Sequence, residues 1–267
     1  MKYYSSPILL LLLTIMFLSC EQHSREEKGS GIFHKKHKHT AIAARRPGHI
    51  MPGLEHGLEQ SPINIHSDGI GQDKVHHHIT LYYKDEVNKV ENKGTTVQLY
   101  FKEGSTIVVD DTVFNFKQCH FHTPSEHHID GVAFPMEMHI VNMMQGIASD
   151  SIPQYLVISV LFKEGKENKF IAEFLNSIPN EANSVKEVKV GTVRLLDLFK
   201  VVPAALKGHY YQYRGSLTTP PYTETVRWYV SQFIFEASPS QIEAIRNIEG
   251  NNARRVNALY GRVVSSE

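Results

Sequence analysis

After Gly48 the chain breaks into short runs in which apolar and polar residues alternate, with turn formers between them. A period of two sends one face of each run into a core and the other toward solvent or a cleft, which commits most of the chain to β-sheet. Runs of this kind span residues 79–83, 97–101, 106–109, 113–122, 135–142 and 155–162. Only two segments read as helices. Residues 168–178 place Ile171, Phe174, Leu175 and Ile178 on one face. Ser238-Pro239-Ser240-Gln241 supplies an N-cap, a Pro at the first helical position and a Gln two residues later, ahead of Ile242, Ile245 and Ile248. Many strands and few helices predict one mainly β, mostly antiparallel domain with peripheral helices. No internal repeat interrupts it.

Composition excludes more than it assigns. With 41% apolar and 21% charged residues the chain is neither disordered nor membrane-embedded. Its 28 basic and 28 acidic residues cancel. A chain that neutralises many phosphates is visibly basic, so nucleic acid is not an expected partner. The unusual figure is 16 histidines.

Residues 1–20 are a separate object. Lys2 precedes an apolar run from Ile8 to Leu18, too short to span a bilayer comfortably but of the length of a signal-peptide core. Ser19-Cys20 followed by Glu21-Gln22 resembles the cleavage site of bacterial lipoproteins, in which the Cys becomes the acylated N-terminus. The alternative is a plain secretory signal. Either way the chain is expected outside the cytoplasm, in the cell envelope or periplasm, with Cys20 as its only membrane attachment. Once Cys20 is acylated, Cys119 is the one thiol left and no intrachain disulfide can form. Residues 21–46 are polar and charged and contain His34-Lys35-Lys36-His37-Lys38-His39. They read as a flexible tether, with metal binding by the His-rich tract as the competing reading. Residues 47–267 form the folded domain.

Histidine spacing alone does not find a site. At this histidine content about one His-x-His pair arises by chance, and the chain has three: His37/His39, His76/His78 and His120/His122. Context selects the third, because only it lies in a convincing strand. Alternation puts Gln118, His120 and His122 on one face there, with Cys119 and Phe121 on the other. The run around Met136–Val141 likewise puts Glu137, His139 and Val141 on one face. If the two strands are antiparallel neighbours, three imidazoles converge, the ligand count of a catalytic zinc site with an open fourth position. Gln118 and Glu137 each stand two residues from a ligand, placed to accept its other ring N–H. Three satisfied core histidines are the bland alternative.

Further blocks narrow the choice. Gln60-Ser61-Pro62-Ile63-Asn64-Ile65, His120-Phe121-His122, Ser125-Glu126-His127, Glu137-Met138-His139 and Gly215-Ser216-Leu217-Thr218-Thr219-Pro220-Pro221, with Glu224-Thr225-Val226-Arg227-Trp228 after it, occur in the order and at the separations of the α-class carbonic anhydrases. The chain resembles that family from about Gln60 to Arg262. The resemblance implies a central twisted, mostly antiparallel ten-stranded sheet with a Zn2+ ion at the bottom of a cone-shaped cleft. It implies reversible hydration of carbon dioxide to bicarbonate by a zinc-bound hydroxide. His120, His122 and His139 match the zinc ligands. Thr218 matches the threonine that orients the hydroxide, and Glu126 the glutamate that accepts the threonine's proton. Thr219 matches a residue that helps place bicarbonate. Val141, Val157, Leu217, Val226 and Trp228 match the apolar wall beside carbon dioxide, positions that would otherwise read as ordinary β core.

Three positions depart from the family pattern. Residues 47–53 replace a stretch rich in Trp and Tyr, leaving Trp228 as the only Trp. Tyr222 stands where exported bacterial relatives often carry a disulfide Cys. Thr95, after the Asn92-Lys93-Gly94 turn, stands where fast members carry a proton-shuttling histidine, and no histidine lies between His78 and His120. A slow proton relay is therefore expected. The competing functions are a binding module that kept the fold without the catalysis, and a zinc-buffering surface lipoprotein.

Overall fold

The computed structural model describes residues 57–72, 79–82, 84, 87–200 and 209–266. The signal segment, the tether, Cys20 and the His76–His78 cluster lie outside them. In chain order the strands are β1 (Asn64–Ile65), β2 (Gly71–Gln72), β3 (Ile79–Tyr82), β4 (Val87–Asn92), β5 (Val97–Phe101), β6 (Thr106–Val109) and β7 (Thr112–His122). Then come β8 (His128–Ile129), β9 (Val132–Ala133), β10 (Met136–Met144), β11 (Tyr155–Glu164) and helix α1 (Lys169–Leu175). The remainder is β12 (Ser184–Glu187), α2 (Leu195–Lys200), β13 (Tyr210–Gly215), β14 (Val226–Ala237), α3 (Pro239–Glu249) and β15 (Ser265–Ser266).

Ten strands lie along one path, β12-β4-β5-β7-β10-β11-β14-β13-β15-β2. β6 and β3 branch from β7 and bring the described sheet to twelve. The branch follows from the length of β7. Its first four residues pair with β6 and Gln118–His120 pair with β5, so one edge serves two partners in succession. Pairing within the sheet is antiparallel except for β11 with β14 and β15 with β2.

The two faces of the sheet bury different things. Cys119 and Phe121 on β7, Met138 and Ile140 on β10, and Ile158 and Phe162 on β11 enter the larger core, together with Phe170, Phe174, Leu198, Ile242 and Ile245 from the three helices. The opposite face carries the histidines and a smaller apolar cluster. A β-bulge between Val141 and Asn142 resets the register just beyond the site.

Both predicted helices form. Asn168 caps α1, its side chain accepting from the Ile171 N–H, and Ser238 and Gln241 make a full capping box on α3. Nine of the fifteen described strands and one helix escape periodicity, and five of those strands are only two residues long. β14, the longest strand, is buried on both faces, with Val226, Trp228 and Val230 in one cluster and Tyr229 and Phe235 in the other. Without a polar face it shows no alternation. β13 is hidden for the same reason: Tyr210 and Gln212 on one face and Tyr213 on the other are all buried. β4 and β12 are a short edge pair, and α2 is too short to display a helical stripe.

Candidate metal centre

β7 and β10 are antiparallel neighbours with His139 directly opposite His120 and Glu137 opposite His122. Opposed residues in such a pair project from the same face, so the register delivers three imidazoles to one point. Their ring centroids lie 5.0 Å (His120 to His122), 5.2 Å (His120 to His139) and 4.6 Å (His122 to His139) apart. One nitrogen from each falls within 4.8 Å of the other two.

The remaining nitrogens decide what the cluster can do. His120 Nδ1 is 2.8 Å from Gln118 Oε1, and His139 Nε2 is 2.7 Å from Glu137 Oε1. A carboxylate only accepts, so His139 carries its proton on Nε2 and turns the Nδ1 lone pair inward. Both nitrogens of buried His122 lack a hydrogen-bond partner, which is costly unless something else binds them. Burial, with the two neighbouring rings, holds the His120 pKa well below its ordinary value. Burial lowers His122 to about 4 against the pull of Glu137 and Asn252, and lowers His139 against the pull of Glu137. The rings are therefore neutral near pH 7. Three converging neutral imidazoles, one with unpartnered buried nitrogens, fit a zinc ion.

A second cluster, His127, Glu137 and His139, also has ligand spacing, but its acceptors are already used. Glu137 Oε1 accepts from His139 Nε2, His127 Nδ1 and Ser159 Oγ at 2.6–2.7 Å. Its Oε2 accepts the backbone N–H groups of Glu126 and His127, both at 2.7 Å. Burial alone would raise the Glu137 pKa, but His127 and His139 outweigh it and hold it well below the ordinary carboxylate range. This is a ligand support rather than a metal site. It continues outward: Tyr213 OH lies 2.6 Å from His127 Nε2 and 3.0 Å from Ser61 Oγ.

Glu126 is the second buried carboxyl. Its Oε1 accepts from the Arg254 N–H at 2.9 Å. Its Oε2 has no hydrogen-bond partner and sits 3.6 Å from His122 Nε2 and 3.9 Å from His139 Nδ1. Burial pushes its pKa up to about 7, with Glu137 adding to the rise and His139, the Arg254 N–H and the Thr218 hydroxyl opposing it. Thr218 is buried beside it, close enough to favour the ionised carboxyl yet short of a full bond to Oε2. Thr219 next to it is exposed. Val141, Val157, Val226 and Trp228, with partly buried Leu217, join one apolar cluster on this face. The reason is register, since Val157 opposes Val141 on one side and Trp228 on the other.

Comparison with known proteins agrees with this arrangement. Residues 49–267 match the family model for eukaryotic-type carbonic anhydrase. A carbonic anhydrase from Neisseria gonorrhoeae is 37% identical over 210 residues, covering 78% of this chain and 77% of that protein. The solved α-carbonic anhydrase of Photobacterium profundum superposes with a TM-score of 0.69 at 32% identity, over 79% of this chain and 90% of that one. The chain belongs to the α-carbonic anhydrase family. Its members are zinc enzymes. Dioscorin, solved in complex with ascorbate, shares the fold at a TM-score of 0.69 and 27% identity, over 78% of this chain and 85% of that one.

Against the carbonic anhydrase pattern, two departures have a visible structural setting. Tyr222 lies under the Arg254 guanidinium, 3.8 Å from Cζ to the ring centroid. Arg254 also donates to Ser61 O at 2.6 Å and Gln60 Oε1 at 3.0 Å. One arginine thus ties the loop after the double Pro, the N-terminal block and Glu126 together. Cys119 is a buried free thiol. Thr95 is exposed in the turn joining β4 to β5, and its carbonyl accepts from Asn252 Nδ2 at 2.8 Å. Asn252 and Arg254, Ser159 and Tyr213 have no local signature in the sequence. Only His127 had one, through the Ser125-Glu126-His127 block.

Proposed function

We propose that this carbonic anhydrase is a working zinc enzyme that converts carbon dioxide and water reversibly to bicarbonate and a proton. The observation that supports it is the division of labour among nitrogens: two rings are engaged from behind, and the inward nitrogens converge beside an unpartnered carboxyl oxygen. His120, His122 and His139 would hold the metal. Zinc there would supply a Lewis acid that brings the pKa of a bound water to about 7, a value for which carbonic anhydrase is itself the type case. Glu126 and Thr218 orient the nucleophile. Once the Thr218 hydroxyl gives its only proton to Glu126, its oxygen must accept, and that aims the attacking lone pair at the substrate. Val141, Val157, Leu217, Val226 and Trp228 exclude water from the face where carbon dioxide rests, and Thr219 helps to place bicarbonate. The test is carbon dioxide hydration by purified protein before and after chelation. Activity should vanish with the metal and return with zinc. A zinc-loaded protein without hydration would indicate a binding module, and hydration that survives chelation would remove the metal from the reading.

The proton leaves slowly in this reading. Thr95 cannot titrate near neutrality, whereas a histidine with a pKa of about 6.5 relays protons nearly thermoneutrally. Turnover should therefore rise steeply with added imidazole, and Thr95→His should raise it in dilute buffer and flatten that dependence. Fast wild-type turnover in dilute buffer without imidazole would refute the assignment. Export with acylation at Cys20 is part of the same proposal. Cys20→Ser should block maturation and release the protein from the membrane fraction; unchanged membrane retention would point to a plain secretory signal.

A further inference from the structure

The row of opposed residues through His139 and His120 continues past the metal centre toward the edge of the sheet. Gln98 on β5 stands directly opposite His120, and Glu91 on β4 stands directly opposite Gln98. Cross-strand partners project from the same face, so Gln98 and Glu91 lie on the metal side. Tyr100, two residues along β5 and opposite Gln118, lies there too, and its hydroxyl donates to Glu91 Oε2. Beyond Glu91 the chain enters the turn that carries Lys93.

Lys93 sits on a pinned piece of backbone. Its N–H donates to Thr96 O at 3.0 Å, and Asn92 Oδ1 accepts the Gly94 N–H at 2.8 Å. Gly94, with φ of 74°, supplies the left-handed residue that the turn requires. Asn92 Nδ2 reaches Pro179 O at 2.9 Å, and Asn252 holds the Thr95 carbonyl from the other side. From this frame the Lys93 side chain folds back over the metal face, with Nζ 3.6 Å from Glu91 Oε2. The same oxygen takes the Tyr100 hydroxyl, so the carboxylate that tethers Lys93 is itself tethered. Lys93 is 40% exposed and Glu91 16%, which makes the ammonium the member of the pair open to an ion arriving from solvent. After burial and the two neighbouring rings, the Lys93 charge is among the causes that hold the His120 pKa low. The field of the ammonium therefore reaches the ligand set.

We propose that Lys93 is the anion-selecting residue of the cleft, its charge drawing bicarbonate and other small monovalent anions toward the metal centre. This rests on the reading of that centre as a zinc site that interconverts carbon dioxide and bicarbonate. Carbon dioxide is uncharged and feels little of this pull, whereas bicarbonate carries a full negative charge. Lys93 thus lowers the bicarbonate concentration that half-fills the site and makes foreign anions stronger inhibitors. Its partial exposure keeps the effect modest, because water and salt screen it.

The test is a charge ladder at position 93. Wild type, Lys93→Arg, Lys93→Gln and Lys93→Glu are loaded with cobalt(II) in place of zinc. Nitrate, then bicarbonate, is titrated while the visible absorption of the metal is followed. Inhibition of carbon dioxide hydration by nitrate is measured in parallel on the zinc proteins. Each unit of positive charge removed should weaken anion binding by about threefold at low ionic strength. The expected order is wild type and Arg together, then Gln, then Glu. The steps should shrink as sodium sulfate takes the ionic strength toward roughly 1 M, where the screening length falls to about 3 Å. Lost packing would weaken Gln and Glu alike, so steps that follow charge identify the electrostatic role. Equal anion affinity across the four proteins, or Lys93→Glu no weaker than Lys93→Gln, would overturn the assignment of Lys93 while leaving an active zinc enzyme in place. A wild-type spectrum that ignores both anions would overturn the assignment and the zinc reading together, because there would be no open metal position for an anion to fill.

Discussion

The back of the metal centre and its mouth each hold a buried glutamate near His139, Glu137 together with His127 and Glu126 together with His122. At the back, Glu137 receives five donors and stays ionised well below the ordinary carboxylate range. At the mouth, Glu126 receives one backbone donor, keeps Oε2 without a hydrogen-bond partner and is pushed up to about 7. Burial acts on both in the same direction, so the two imidazoles held against Glu137, His127 and His139, make the difference. A saturated carboxylate fixes its partners; an unsaturated one is left with an acceptor to offer. Position and chemistry are thereby assigned to different residues of one cluster.

The most drastic way to break the contrast is to remove the imidazole nearest the mouth. His122→Ala leaves two ligands and should reduce zinc affinity by orders of magnitude, read as metal content after dialysis against a chelator. Stoichiometric zinc in that variant would refute the ligand set. Thr218→Ala acts only at the mouth. It should retain zinc and lose about 100-fold in hydration rate, because the nucleophile is no longer oriented; an unchanged rate at saturating carbon dioxide would remove Thr218 from the mechanism. Glu137→Ala acts from the back, where zinc retention should weaken by about 10–100-fold through the loss of the His139 support. Equal metal retention by Glu137→Ala and Thr218→Ala would collapse the distinction.

The smallest effect lies away from the metal, at Glu249 on α3. Burial pushes this carboxyl up from 4.5 to about 8, against the Val97 N–H and the Thr123 and Thr96 hydroxyls. Like Glu126 it has an oxygen without a partner. Above 4.5 the unfolded chain releases a proton that the folded chain keeps until about 8. The stability contributed by this group is therefore full at low pH and falls as pH rises through that window. Relative to wild type, Glu249→Gln should gain thermal midpoint progressively between about pH 4.5 and 8. A constant difference across the window would show that Glu249 is already ionised in the fold.

Much of the site was legible because the strands bearing it have one polar and one apolar face. Gln118, His120 and His122 share a face by alternation alone, and so do Glu137, His139 and Val141. The gate and the wall were not legible in this way. Thr218 lies in a loop without period, and Val226 and Trp228 lie in a strand buried on both sides, so only the family's motif order marked them. Ser159 looks like any other residue of an apolar run until β11 is laid beside β10, where its hydroxyl reaches Glu137.

The sequence by itself determined which side chains travel together, since a strand's period of two is a local property of the backbone. It also carried both helix starts, because caps are made by neighbours within one turn. Only the tertiary structure decided which strands meet and in what register, and so that His139 stands opposite His120. It alone brought Arg254 to Glu126 across 128 residues, and Tyr213 to His127 across 86. Contacts of that span depend on how the whole sheet closes, and no local pattern encodes them. A slip of one residue between β7 and β10 would preserve every local preference but place His139 on the core side, dispersing the metal centre.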